Sequence, residues 1–228
     1  MDKVLRIAHR GASGHQPENT LAAISKALEI KVDIIEIDVR VCKTGELVVF
    51  HDLTLERTTN GSGLIADASL EELKKLDAGE KEQIPTLKEV IDLVDKKTVL
   101  NIEMKGRGIA DKLSNILGDY LKNKDYPSEL FIVTSFDKKE FHRFSLKNPG
   151  VSLGILVARD ILSVPIRAKR YSAHSIHIPQ PYLKKWLVKY IQKKGFKVFV
   201  YTLNSIWDIA KAKVMGVDGI FSDYPDRI

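Results

Sequence analysis

The connection at residues 42–46, Cys-Lys-Thr-Gly-Glu, constrains the fold of this chain more than any other stretch. It joins two apolar runs, 34–40 and 47–50, each with the composition of a strand. Parallel neighbours need a crossover of a dozen or more residues. So short a link, with Gly45 at its turn, closes a hairpin instead. The second run therefore returns antiparallel beside the end of the first. Elsewhere strand and helix patterns alternate. Strand candidates are residues 4–8, 33–38, 98–103, 130–134, 152–156, 175–178, 197–201 and 219–222. Helical spacing falls between them at 21–28, 109–121, 138–146, 182–193 and 206–215. With the hairpin return set aside, eight parallel strands remain, which predicts an α/β chain folded as a (β/α)8 TIM barrel.

Local signals refine this outline. Asn19 or Thr20 is placed to cap the first helix, and Pro17 keeps it from starting earlier. Gly195 and Gly216 sit where helices end. Pro165 leaves 160–169 ambiguous. The roughly 45 residues between His51 and the next strand exceed an ordinary βα connection. They begin with a Thr, Asn and Gly-rich loop, pass through the capping-box order Ser69-Leu-Glu-Glu72, and open an outer helix at Pro85-Thr86 that ends near Asp95. Residues about 53–96 are expected to form a small cap over the barrel mouth, within a single domain spanning 1–228. Trp186 and Trp207 read as packing anchors on helices, and Cys42 as a small packed residue beside the turn.

Charge and cysteine content narrow the function classes. The chain carries 36 basic and 30 acidic residues, a net +6. That favours anionic ligands, but no long basic block marks a nucleic-acid footprint. One cysteine excludes an intramolecular disulfide. No charged-then-apolar leader opens the chain, and no apolar run reaches the ~18 to 20 residues of a membrane span. The expectation is a cytoplasmic protein without stable membrane insertion.

Polar residues at strand carboxyl ends carry the chemistry, because that is the end at which such barrels build active sites. The first strand ends in His9 and Arg10. The second brings Glu36 and Asp38, two apart and so on one face. The hairpin returns His51 and Asp52 to the level of Asp38, and the third parallel strand adds Glu103 and Lys105, again on one face. Three converging carboxylates repel one another unless a cation neutralises them. Oxygen ligands alone suit Mg2+ or Ca2+, not zinc. Arg10 and Lys105 beside such a metal make an oxyanion site, most naturally for phosphate. His9 and His51 supply groups that titrate near neutrality and serve as general acid or base. His15, His142 and His174 read as loop or surface residues. His177 alternates with Ile176 and Ile178 and reads as a satisfied core histidine.

His9-Arg10-Gly11, Glu18-Asn19-Thr20, Glu36-Ile37-Asp38, His51-Asp52 and Glu103-Met104-Lys105 together resemble the motif series of the glycerophosphodiester phosphodiesterase family. The likeness continues, in order, through Arg57-Thr58-Thr59, Ile84-Pro85-Thr86-Leu87, Ser135-Phe136, Tyr201 to Asn204, Gly216 to Gly219 and Asp223-Tyr224-Pro225. The resemblance implies a TIM-barrel phosphodiesterase with one divalent metal on Glu36, Asp38 and Glu103. It implies His9 and His51 as the acid/base pair, and Arg10 and Lys105 on the phosphate. The implied substrates are glycerophosphodiesters, cleaved to sn-glycerol 3-phosphate and an alcohol. Tyr201 stands where many members carry Trp, and is expected to flank the substrate. A sphingomyelinase D-like phospholipase is the nearest rival, but it expects a secreted, disulfide-bearing chain without the long cap. A non-catalytic phosphate-binding barrel is the rival from another class, and it would be expected to have lost one of these histidines or carboxylates.

Overall fold

The computed structural model describes residues 3–157, 161 and 163–228. In chain order the elements are β1 (Leu5–Ala8), α1 (Leu21–Ile30), β2 (Ile34–Val41), β3 (Leu47–Val49), α2 (Leu70–Leu73), α3 (Leu87–Val94), β4 (Val99–Met104) and α4 (Ala110–Asn123). Then come β5 (Phe131–Ser135), α5 (Lys138–Lys147), β6 (Ser152–Leu156), α6 (Val164–Arg170), β7 (Ser175–Pro179), α7 (Lys185–Lys193), β8 (Lys197–Tyr201), α8 (Ile206–Met215) and β9 (Gly219–Ser222).

The sheet runs β1-β9-β8-β7-β6-β5-β4-β2-β3, and a β1–β2 pairing closes it. Every pairing in the ring is parallel; only β3 runs antiparallel, on β2, with Val39 opposite Val49. This is a (β/α)8 TIM barrel with a hairpin strand added to β2. Helix packing follows from the apolar stripes: Val90, Ile91 and Val94 of α3, Leu113 and Leu117 of α4, and Leu187, Val188 and Ile191 of α7 are all buried in the layer around the barrel. Inside the barrel, Ile7, Ile34, Ile132, Phe199 and Phe221 make an apolar floor.

Thr20, not Asn19, caps α1, accepting from the Ala23 amide. Asn19 is released to serve the site described below. Ser69–Glu72 and Thr86–Glu89 both form complete capping boxes. Residue 160 of the ambiguous 160–169 stretch lies outside the described residues, as does 162. From Val164 the chain is helical, with Pro165 in the first turn, where its missing N–H costs nothing. The helix expected to start at residue 182 starts at Lys185, because Gln180–Tyr182 forms a 3-10 turn and Lys184 is extended. Within the long insertion, Leu55, Ile65, Leu73, Ala78 and Ile84 pack on Cys42, Val48 and Phe50 of the hairpin, as a cluster separate from the main core. The last helix of that stretch, α3, packs on α1 in the outer ring.

The two tryptophans correct the sequence reading. Trp186 is 59% and Trp207 84% exposed, so neither anchors packing. The buried positions of α8 are Ile209 and Ala212, and Trp207, two residues before Ile209, points about 200° away around the helix. Trp186 lies one residue outside the buried face of Leu187, Val188 and Ile191.

Candidate active site

Strand period and barrel closure bring the strand-end polar residues to one mouth. Glu36, Asp38 and Glu103 are all buried, and one ligand oxygen from each lies within 4.8 Å of the others. The register explains this, since Asp38 sits directly opposite Glu103 across the β2–β4 pair. Burial and then the negative charge of Asp38 push Glu36 up to about 8. Glu103 is raised by the same two causes. Burial alone would raise Asp38 as well, but the cations Lys105 and Arg10 hold it below the usual range. Three buried carboxylates that cannot all ionise together make a donor set fitted to a hard divalent cation. They form an acidic centre compatible with a divalent metal.

Two cations border this centre. Lys105 Nζ lies 2.7 Å from Glu103 Oε1 and 3.3 Å from Asp38 Oδ1. Arg10 Nε is 3.3 Å from Asp38 Oδ2, and its Nη1 donates to Glu18 Oε1 at 2.7 Å. Arg10 sits in the left-handed region at φ 57°. Its backbone N–H donates to Glu36 Oε2 at 2.9 Å, so the turn that strains the backbone also fixes a carboxylate. Gly11 completes the turn at φ 78°, and a Cβ there would come within 2.7 Å of the Ala23 backbone.

Each histidine is held by its own aspartate. His9 Nδ1 is 2.7 Å from Asp223 Oδ1, and Asp223 also accepts from Ser13 Oγ and Asn204 Nδ2. Burial would lower His9, yet the Asp223 hydrogen bond and the Glu36 charge lift it above the ordinary histidine value. His51 Nδ1 is 2.5 Å from Asp52 Oδ1, but there burial prevails and the ring stays below its ordinary value. Arg40 donates from Nε to the His51 carbonyl and from Nη1 to the Lys105 carbonyl, tying the hairpin to the exit of β4. Arg57 of the insertion bonds Glu18 through two nitrogens and pairs with Asp52.

A cavity of about 350 Å³ lies beside α5 and α6; a second, of about 270 Å³, is the mouth itself. His9, Arg10, Glu36, His51, Glu103, Lys105 and Tyr201 all line the latter. Asp38 does not line it, but completes the acidic centre with Glu36 and Glu103. Tyr201 packs edge-on to Phe221 and donates its hydroxyl to the Val157 carbonyl at 3.1 Å. His177, read as a core residue, is fully buried but also lines this cavity.

The residues to which sequence reasoning gave no part in the site's chemistry are Asp223, Asn204, Asn19, Glu18 and Arg40. Asp223 follows directly on β9, so the strand-end criterion used for the first strands reaches it. Asn19 donates to Asp38 Oδ2 at 3.1 Å and accepts from the Asp38 amide, a contact that only tertiary packing reveals.

The glycerophosphoryl diester phosphodiesterase family model matches residues 9–227. The chain belongs to that family. It is 39% identical to a glycerophosphodiester phosphodiesterase of Caldanaerobacter subterraneus subsp. tengcongensis, over 99% of this chain and 96% of the relative. Among solved structures it resembles an Oleispira antarctica phosphodiesterase in complex with the product sn-glycerol-3-phosphate, with a TM-score of 0.89, 34% identity, and 97% and 94% of the two chains covered. A glycerophosphodiester phosphodiesterase of Thermotoga maritima superposes with a TM-score of 0.82 at 30% identity, covering 99% and 97%. As a member of the glycerophosphoryl diester phosphodiesterase family the chain is an enzyme of phosphodiester hydrolysis, and no helix among its described residues is long and apolar enough to cross a membrane.

Proposed function

We propose that this enzyme hydrolyses glycerophosphodiesters to sn-glycerol 3-phosphate and an alcohol, with metal support and a pair of histidines. The observation that carries the reading is the convergence at one barrel mouth of an acidic triad, two cations and two histidines with separate aspartate partners. Glu36, Asp38 and Glu103 would hold one Mg2+ or Ca2+. A cation bound there supplies Lewis-acid stabilisation of charge on the phosphate.

Arg10 and Lys105 hold non-bridging oxygens as charge grows on them. His51, kept neutral by burial, takes a proton from the nucleophile, which is water or the neighbouring glycerol hydroxyl; on the second route the cyclic phosphate that forms is then opened by water to glycerol 3-phosphate. His9 carries a proton further up the pH scale and gives it to the departing alkoxide. The largest raising influence on His9 is Asp223, which bonds its Nδ1, so the assignment does not depend on the charge state of the triad alone. Tyr201 flanks the substrate from β8. The part of the 53–96 insertion that precedes α3 serves as a cap, with Arg57 bracing the partners of both Arg10 and His51.

The test is an assay of sn-glycero-3-phosphocholine with Mg2+ or Ca2+ and with EDTA, reading out glycerol 3-phosphate. Release that depends on metal supports the reading. Absence of glycerol 3-phosphate under every metal defeats it.

A further inference from the structure

Large apolar side chains that face solvent gather along one arc of the barrel rim. Strands β5, β6, β7 and β8 are neighbours in the sheet, and the segment that leaves each one begins at the mouth. Phe136 follows β5 directly, Ile166 is in the first turn of α6, and Tyr182 and Trp186 lie just before and just inside α7. Ile206 and Trp207 open α8. Ile166, Trp186, Ile206 and Trp207 are 74%, 59%, 66% and 84% exposed. Over the rest of α5, α6, α7 and α8, the described residues add only Leu146, Tyr190 and Val214 to this class. Single exposed apolar side chains are ordinary, but a run of them along one edge marks a contact surface.

Lysines are interleaved with these side chains. Lys138 and Lys139 open α5, and Lys184 and Lys185 stand at the start of α7. All four are exposed, and none pairs with a carboxylate among the described residues. The described carboxylates on the same turns are Asp137, which caps α5, Glu140, which is buried on the Ile109 and Ala110 amides, and Asp208 in α8. Four lysines outnumber these three, so the arc is both apolar and net positive. Tryptophan and tyrosine favour the boundary between water and lipid, and lysines beside them are drawn to an anionic headgroup layer. A protein partner fits less well, because protein interfaces are depleted of lysine. The arc also reaches the catalytic cavity: Phe136 lines it, and its ring centre is 5.9 Å from Lys105 Nζ.

We propose that this arc docks the barrel mouth onto an anionic lipid surface. The contact is peripheral. The aromatic rings and isoleucines enter the headgroup layer, the lysines meet lipid phosphates, and no segment spans the bilayer. Docking is independent of the phosphodiesterase reading above and is measurable without turnover. Under that reading it puts the enzyme where its substrate arises, because a glycerophosphodiester is what remains when both acyl chains leave a phospholipid.

The test is co-sedimentation of the full chain with sucrose-loaded vesicles, either of phosphatidylcholine alone or of an equimolar mixture with phosphatidylglycerol. Wild-type protein should bind the mixed vesicles, bind the neutral ones far less, and come off as salt rises. Tryptophan emission should move to shorter wavelength on binding, since both indoles of the chain are on the arc. Trp186→Ala combined with Trp207→Ala should weaken partitioning about tenfold or more. Lys184→Glu combined with Lys185→Glu should do the same on anionic vesicles, about tenfold or more. Both double variants should keep the wild-type thermal melt and the wild-type rate on soluble glycerophosphocholine. If wild-type enzyme hydrolyses no diester, the phosphodiesterase reading fails, and the vesicle data alone decide the docking. Absence of wild-type binding to the mixed vesicles at low salt overturns the proposal, and so does undiminished binding by either double variant. A wild-type dimer that the tryptophan variant dissolves, with no vesicle binding, assigns the arc to a second copy instead.

Discussion

Replacing Asp223 with asparagine tests the assigned role of His9 most directly. The carboxylate is 2.7 Å from His9 Nδ1, and the two are 214 positions apart in the chain. Its own pKa is pulled from 3.8 to about 2: burial raises it, and His9, Asn204 and Ser13 more than offset that. At about 1.4 kcal/mol per pKa unit this amounts to roughly 2 kcal/mol of preference for the charged carboxylate, shared among those partners. Asparagine keeps the shape and one acceptor but removes the charge and permits the wrong ring tautomer. Charged neighbours that remain around His9 are Glu36, which still raises it, and Arg10, which lowers it. The His9 proton should therefore be lost at lower pH in the variant. Since His9 gives its proton to the leaving group, the alkaline limb of the kcat profile should move to lower pH. At the optimum kcat should drop by about 10²-fold or more, the usual scale for a disabled acid or base. The assay is glycerol 3-phosphate release from glycerophosphocholine between pH 5 and 10. A drop smaller than about tenfold with the alkaline limb in place would show that Asp223 neither orients nor charges His9. Movement of the acidic limb instead would make His9 the base.

Other outcomes follow from the same geometry. His9→Ala and His51→Ala should each lower kcat by about 10²- to 10⁴-fold, and near-full activity in either removes that ring from the chemistry. Glu36→Gln should stay folded, because its side-chain oxygen still accepts from the Arg10 amide. Titration calorimetry should show its Mg2+ or Ca2+ dissociation constant raised by about tenfold or more, a loss that even hydrogen-bond partners of metal ligands can cause; unchanged affinity would place the metal elsewhere. Asp52 and Asp223 both sit at about 2 in the folded protein, depressed below 3.8. Their contribution to stability is thus complete above about pH 4 and lost as pH falls through about 2. The melting temperature should drop over that window, and less steeply in Asp223→Asn; parallel curves would mean that Asp223 contributes nothing.

Much of this molecule is local, and so legible in one dimension. The short 42–46 link fixed an antiparallel partner for β2 and left eight parallel strands, because crossover length is a property of the chain alone. The spacing of two placed Glu36 with Asp38, and Glu103 with Lys105, because strand side chains alternate. Capping at Ser69 and Thr86 was equally local. What tertiary structure alone decided are the partners delivered by closure. Pairing of β1 with β9 sets Asp223 beside His9. The loop before α1 folds back to put Asn19 on Asp38 and Glu18 on Arg10. Trp207 looked like an anchor by residue type, and only the rotation of α8 against the barrel turned it to solvent. His177 is core, as its alternation suggested, but the glycine on β6 that leaves room for its ring comes from a different strand. Periodicity tells which face a side chain shares with its neighbours in sequence. Which groups that face meets depends on how the ring closes, and no single segment encodes that.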